Sequence, residues 1–149
     1  MSEQNDPAVV RREYETDEGL VGRQVVANFM LYHVKDVDGA VSELARVAPR
    51  LVAATNGAQQ LAELWELVGR DLSERGRLFF CETGEEHLRR RYADVQCIDA
   101  SGTIDLSADD MRRYIEHSIA HKHLAARVPA FDGVQAVTAA SCVFVATRP

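Results

Sequence analysis

Two short apolar runs joined by one amphipathic helix constrain this chain more than any other feature. Gln24-Val25-Val26-Ala27-Asn28-Phe29-Met30-Leu31 is apolar almost throughout and β-branched at its start. That is the pattern of a strand buried in a parallel sheet. Lys35-Asp36 breaks it. Asp36 is placed to cap a helix carrying Val37, Ala40, Val41, Leu44 and Val47 at three- and four-residue steps. Pro49 ends that helix. Leu51-Val52-Ala53-Ala54-Thr55 reads as a second buried strand, stopped by Asn56-Gly57. Early alternation of strand and helix points to a layered α/β structure with a parallel sheet.

The rest of the chain continues the theme less clearly. Before the first strand, Met1 to Asp6 is polar, and Val9, Val10 and Tyr14 recur at helical spacing after Pro7. Leu61, Leu64, Trp65, Val68 and Leu72 form one apolar stripe, which predicts a helix of roughly four turns. Thr83-Gly84-Glu85-Glu86 starts a short helix with Leu88 and Tyr92 inward. Val95, Cys97 and Ile98 mark a third strand, and Ser101-Gly102 a turn. Ser107 and Asp110 have the spacing of a capping box, opening a helix with Met111, Tyr114, Ile115 and Ser118. An alternating stretch, Val134, Ala136, Thr138, follows Gly133, and Cys142 to Ala146 is a last apolar strand. No internal repeat or low-complexity tract interrupts this.

Composition excludes several classes. With 149 residues the chain has the length of one domain, and 46% hydrophobic residues supply a core. A net charge of −6 repels nucleic-acid backbones. No run of about 18 apolar residues spans a membrane. The acidic, polar start is unlike a secretory or transit peptide. Cys81, Cys97 and Cys142 are widely spaced, with no CxxC pair. They read as three reduced cysteines of a cytoplasmic protein.

Several of these blocks together resemble a known family. Val25 to Val34, then Lys35-Asp36, the amphipathic helix and Leu51 to Gly57 are similar to the fourth strand, its loop and the fifth strand of class I S-adenosylmethionine-dependent methyltransferases, the small-molecule, methyltransferase type 11-like group. Phe79 to Tyr92 resembles that family's Phe-x-x-Glu-Asn-Gly helix start, Tyr114 its insertion helix, and Phe144-Val145-Ala146-Thr147 its last strand. Asp6 to Arg23 resembles the stretch before the first strand. The resemblance covers both ends of the chain, and the order of the motifs is more specific than any one of them.

The departure is internal. Between Arg23 and Val25 the family places its first three strands with their helices, so about 80–100 residues are missing at roughly 30 per βαβ unit. That piece carries the Gly-x-Gly-x-Gly turn and the acidic residue for the ribose, where bare backbone approaches the cofactor. The nine glycines here form no such cluster; Gly19-Leu20-Val21-Gly22 comes nearest but follows no strand. Phe29 stands where close relatives often carry His, and Arg46 to Arg50 lacks a Pro-Gly-Gly turn. The resemblance thus implies an N-terminal helical segment over 1–24 and a truncated methyltransferase-like α/β domain over 25–149. Its Rossmann-like sheet, 3-2-1-4-5-7-6 in the family, would be cut to 4-5-7-6, with flanking helices and a helical insertion. S-adenosylmethionine is the implied cofactor, with no cofactor-binding residue left to assign.

Ligands of open α/β sheets lie outside the carboxyl ends of the strands. Asn28, Tyr32 and His33 fall there after the first strand, Asn56 after the second. In the family this place faces the methionine part of the cofactor and the acceptor. His33 would be a general base, with Asn28 beside it, and Tyr32, Asn56 and Tyr114 would bind the acceptor, a small molecule. The plainer reading, that Tyr32 and His33 pack the top of the sheet, is preferred here, since positioning groups need a reactant to position. Gly57 reads as a turn residue, and Tyr114 fits a core position as well as a pocket wall. His117, His121 and His123 form His-x-x-x-His-x-His, but Ser118 occupies the glutamate position of an HExxH motif, and no metal is assigned. Glu82, Glu85 and Glu86 are a helix-start charge cluster, and Trp65 is core.

Truncation would turn the strand Val25–Met30 from a central strand into an edge, its hydrogen-bonding groups and both apolar faces uncovered. The expected consequence is pairing: a homodimer, or a complex with a related subunit. An interaction protein with no catalysis of its own is therefore the alternative to a methyltransferase-like protein that is inactive alone. A repurposed pocket without a nucleotide is a third reading.

Overall fold

The computed structural model describes residues 24–149. The N-terminal helical segment expected over 1–24 therefore lies, apart from Gln24, outside the described residues.

β1 (Gln24–Asn28) and β2 (Arg50–Asn56) pair in parallel, with Val25 opposite Leu51 and Asn28 opposite Ala54. The crossover between them is α1 (Val37–Val47). Its start is fixed as the sequence predicts: Asp36 Oδ1 accepts the Gly39 N–H at 2.9 Å. α2 (Ala62–Leu67) and α3 (Cys81–Arg89) follow, then β3 (Asp94–Asp99) and β4 (Gly102–Leu106). α4 (Ala108–Glu116), β5 (Gln135–Ala139) and β6 (Ser141–Thr147) complete the chain. The main sheet has the order β1-β2-β6-β3, and β6 runs antiparallel to both of its neighbours.

Alternation along the strands sends Val25, Ala27, Leu51, Ala53, Phe144 and Ala146 to one face of this sheet, all of them buried. There they meet Val37, Val41 and Ala45 of α1 and Leu88 and Tyr92 at α3. The opposite face carries Val26, 57% exposed, and the half-buried Val52, Ala54, Val143 and Val145. Only one face of β1 is uncovered, not both as its apolar sequence suggested. The strand also ends two residues early, at Asn28, because Phe29 turns into the left-handed region at φ 50°.

A second core forms around Leu61, Leu64, Trp65 and Val68, packed on Met111, Ile115, Leu124 and Val137. The expected four-turn helix is here a corrected reading. Leu61 takes φ 54° before α2, and Gly69 takes φ 73° just after it, so the helix is six residues long. The apolar stripe is buried all the same. The insertion is not purely helical either: β4 and β5 form a separate antiparallel pair flanking α4. Both capping-box hydrogen bonds are present, Asp110 N–H to Ser107 Oγ at 3.1 Å and Ser107 N–H to Asp110 Oδ2 at 3.0 Å.

The expectation of three reduced cysteines fails for two of them. Cys81 and Cys142 form a disulfide, their Cα atoms 5.8 Å apart, and Cys97 alone is free. The pairing follows from register. Cys142 sits opposite Thr55 on β2, and Thr55 donates its hydroxyl to the Phe79 carbonyl at 2.9 Å, bringing the start of α3 over β6. Spacing of 61 residues along the chain hides this, and the argument for a reducing compartment loses its premise. Among the described residues no helix is long and apolar enough to cross a membrane.

Candidate functional site

The carboxyl ends of β1 and β2 meet the second core, and the candidate residues gather at that junction. After Asn28, the Phe29 N–H donates to the Ala54 carbonyl at 2.9 Å, and a short 3-10 turn, Leu31–His33, presents Tyr32. The half-buried Tyr32 ring stacks 6.0 Å from Phe80, and its hydroxyl shares a hydrogen bond with Asn56 at the end of β2. Burial raises the phenol pKa, the Tyr114 phenol adds to that, and the Asn56 bond opposes it. Of the residues expected to bind an acceptor, Asn56 and Tyr114 thus both act on the Tyr32 phenol. Asn28 and His33 do not join them. Both are exposed; among the described residues Asn28 makes no side-chain hydrogen bond, and His33 touches only the Tyr32 ring, at 4.1 Å. Among the described residues no carboxylate hydrogen-bonds His33.

The loop after β2 is clamped from two sides. The Gly57 N–H donates to the Ala140 carbonyl at 2.7 Å. Glu82 accepts the Ala58 N–H with both carboxylate oxygens, at 3.1 and 2.9 Å. Arg75 Nη1 donates to the carbonyls of Ala58 at 2.9 Å and Gln60 at 2.8 Å. Glu82 thus has a loop-holding role that its reading as a helix-start charge did not foresee, whereas Glu85 and Glu86 pair with Arg89 and Arg90 on the surface.

Trp65 organises the other side. Its ring is 3% exposed and belongs to the second core, as expected. The Arg70 guanidinium lies 4.3 Å above it, His121 packs edge-on at 5.6 Å and Tyr114 at 6.1 Å. Burial pulls the Arg70 and Arg75 pKa values down; for Arg75 the Arg70 charge acts in the same direction. Burial also lowers His121, followed by the charges of Arg70, His123 and Arg75. The sequence reading missed both arginines, which lie on opposite sides of Asp71-Leu72-Ser73 and fit no motif.

The three histidines of His-x-x-x-His-x-His separate. His117 bonds the Arg113 carbonyl at 2.6 Å, His121 packs on Trp65, and His123 is exposed. Among the described residues no group of three His, Cys, Asp or Glu side chains could hold a metal ion.

S-adenosylmethionine does not fit the described residues. A nucleotide loop needs bare backbone N–H groups at a strand end. Beyond β1 stand the side chains of Phe29 and Met30, and Gly57 beyond β2 is closed by Ala140, whose Cβ would lie 2.8 Å from an added Cβ. The glycines with positive φ, Gly69 and Gly133, follow no strand.

No family model matches the sequence, and no curated protein matches it. Among solved structures the chain is similar to "a putative methyltransferase" from Bacillus halodurans C-125, at 14% identity and a TM-score of 0.47. The match covers 85% of this chain but only 64% of that one, so the chain spans less than two thirds of its neighbour's length. A likeness this loose assigns no activity.

Proposed function

We propose that the chain is a methyltransferase-like α/β protein reduced to its acceptor-binding part, which holds a small molecule at Tyr32, Asn56 and Tyr114 and does not retain S-adenosylmethionine by itself. The observation that carries this reading is the strand order. Two parallel strands are followed by a last strand inserted, antiparallel, between the second and the third. That order is compatible with the 4-5-7-6 remainder which the sequence resemblance implies. The convergence of the three acceptor-side residues supports it further. The described residues offer the cofactor no cradle. Calorimetry of the full chain with S-adenosylmethionine tests the reading: no saturable binding below millimolar concentration is expected, and micromolar binding would overturn it.

A second reading is favoured by β1 itself. It lies at the end of the sheet order, and Val26, Phe29 and Met30 expose 57%, 42% and 50% of their surface. An edge strand of this kind pairs readily with another chain. In this reading the protein works by self-association, or by joining a related subunit, through residues 25–30. Val26→Lys places a charge on the uncovered face without touching the core. Light scattering should then fall from dimer to monomer mass; a wild-type chain that is already monomeric excludes self-association.

A further inference from the structure

We infer that the ligand held at the junction of the two cores carries an anionic group, a carboxylate or phosphate, bound by Arg70 and Arg75 beside Tyr114. This rests on the acceptor-site reading for the place of the ligand and deepens it by naming its chemical class.

The argument begins with where the carboxylates are. The chain has 23 acidic residues and a net charge of −6, so partners for arginine are plentiful. On the surface Arg46, Arg89, Arg90 and Arg112 each pair with Glu or Asp. Arg70 and Arg75 are half-buried, yet neither forms an ion pair among the described residues. Burial disfavours the charge of each, and the Arg70 charge further disfavours that of Arg75. Holding two desolvated cations together is unfavourable unless a negative group is supplied.

Both guanidiniums are positioned. Arg75 is fixed through Nη1 alone, by the carbonyls of Ala58 and Gln60, leaving Nη2 and Nε as donors. The Arg70 guanidinium carbon lies 4.3 Å above the Trp65 ring, which holds the fork at that face, and its N–H groups make no hydrogen bond among the described residues. A planar fork with open edges matches a carboxylate or phosphate bidentately. Tyr114 packs edge-on against the same Trp65 ring at 6.1 Å and is half exposed, so its hydroxyl adds a neutral donor on that side. Gln60 Oε1, next to the Arg75 anchor, is buried without a partner, an acceptor ready for a hydroxyl or amine on the same ligand.

Trp65 is the only tryptophan, so its fluorescence reports on Arg70 directly. The full chain is titrated, without cofactor, with 3-phenylpropionate, phenyl phosphate and the neutral 3-phenylpropionamide. Saturation by at least one acid, with the amide binding at least tenfold more weakly, is expected. Arg70→Gln, whose side chain anchors no loop, should weaken the acid tenfold or more and leave Tm unchanged. An amide that binds as well as the acids, no saturation with either acid, or an Arg70→Gln protein of unchanged affinity overturns the proposal. The acidic stretch Glu13, Glu15, Asp17 and Glu18 is another source of carboxylate. Changing all four to amides should not alter probe affinity, and a tenfold gain would assign the site to the chain's own acids instead. Because no S-adenosylmethionine is present, these results stand apart from the calorimetric test of the methyltransferase-like reading.

Discussion

Glu63 on α2 grips Thr138 on β5 twice, accepting its backbone N–H at 2.8 Å and its hydroxyl at 2.6 Å. Together with the Leu61 N–H, which donates to the Thr138 carbonyl at 2.8 Å, this forms a polar seam between α2 and the insertion. It fixes the Trp65 side of the candidate site relative to Tyr114.

Loss of that carboxylate should loosen the seam. Glu63→Gln is expected to reduce stability by about 1 kcal/mol, less than a fully buried charged hydrogen bond because the group is partly exposed. The Thr138 hydroxyl, then its N–H, holds the Glu63 carboxyl below its ordinary range. A depressed pKa stabilises the fold above the unfolded carboxyl value and ceases to do so as pH falls through the folded one. Urea unfolding should therefore separate wild type from Glu63→Gln at pH 7 and bring them together only as pH falls through the depressed carboxyl pKa of the folded protein.

Gly84 sits inside α3, where alanine would ordinarily be preferred by about 1 kcal/mol. An added Cβ would lie 2.5 Å from Cε2 of the fully buried Phe144 and 3.0 Å from the Phe79 ring. Overpacking of that kind outweighs the helix preference. Gly84→Ala should lose about 1–2 kcal/mol by denaturant titration, and a gain would show that the rings can withdraw.

Phe29 holds a left-handed backbone at the end of β1. A β-branched residue tolerates this poorly, and asparagine tolerates it well. Phe29→Val is expected to be about 1 kcal/mol less stable than Phe29→Asn, despite being the more apolar. Equal thermal midpoints would place the strain elsewhere.

Without reductant, iodoacetamide should modify one thiol per native chain, Cys97, because Cys81 and Cys142 are joined. Intact mass reads this directly; three modified thiols would remove the disulfide. Replacing both with serine should lower stability by about 2–4 kcal/mol through the long loop they close.

These relationships show which parts of the molecule were legible in advance. Local chemistry was: Asp36 at the head of α1 and Ser107 with Asp110 at the head of α4 make the capping bonds that their spacing predicts. Burial was legible even where the backbone was not, as Leu61, Leu64, Trp65 and Val68 are core although Leu61 and Gly69 cut the helix short. The phase of β5 was misread: Val137 is the buried residue, while Val134 is 62% exposed. A two-stranded ribbon covers little, so β4 and β5 lack the strong alternation of a half-buried sheet, and β4 went unread. Tyr32, Asn56 and Tyr114 were proposed from their place after strands and on the insertion, which local sequence does reveal. Arg70 and Arg75 were not, because their approach depends on Trp65 and on loop carbonyls that no sequence spacing reveals. The same is true of Cys81 and Cys142, which meet only through the register of β2 with β6.

The central position of β6 bears on how the protein is made. This strand, Ser141–Thr147, lies between β2 and β3 and pairs with both. Until those residues leave the ribosome, the two earlier strands have no partner between them, and the apolar Leu51 and Ala53 have no Phe144 beside them. The main sheet is therefore assembled after translation has passed its final strand, and nascent chains halted before residue 141 should depend on chaperones to stay unaggregated.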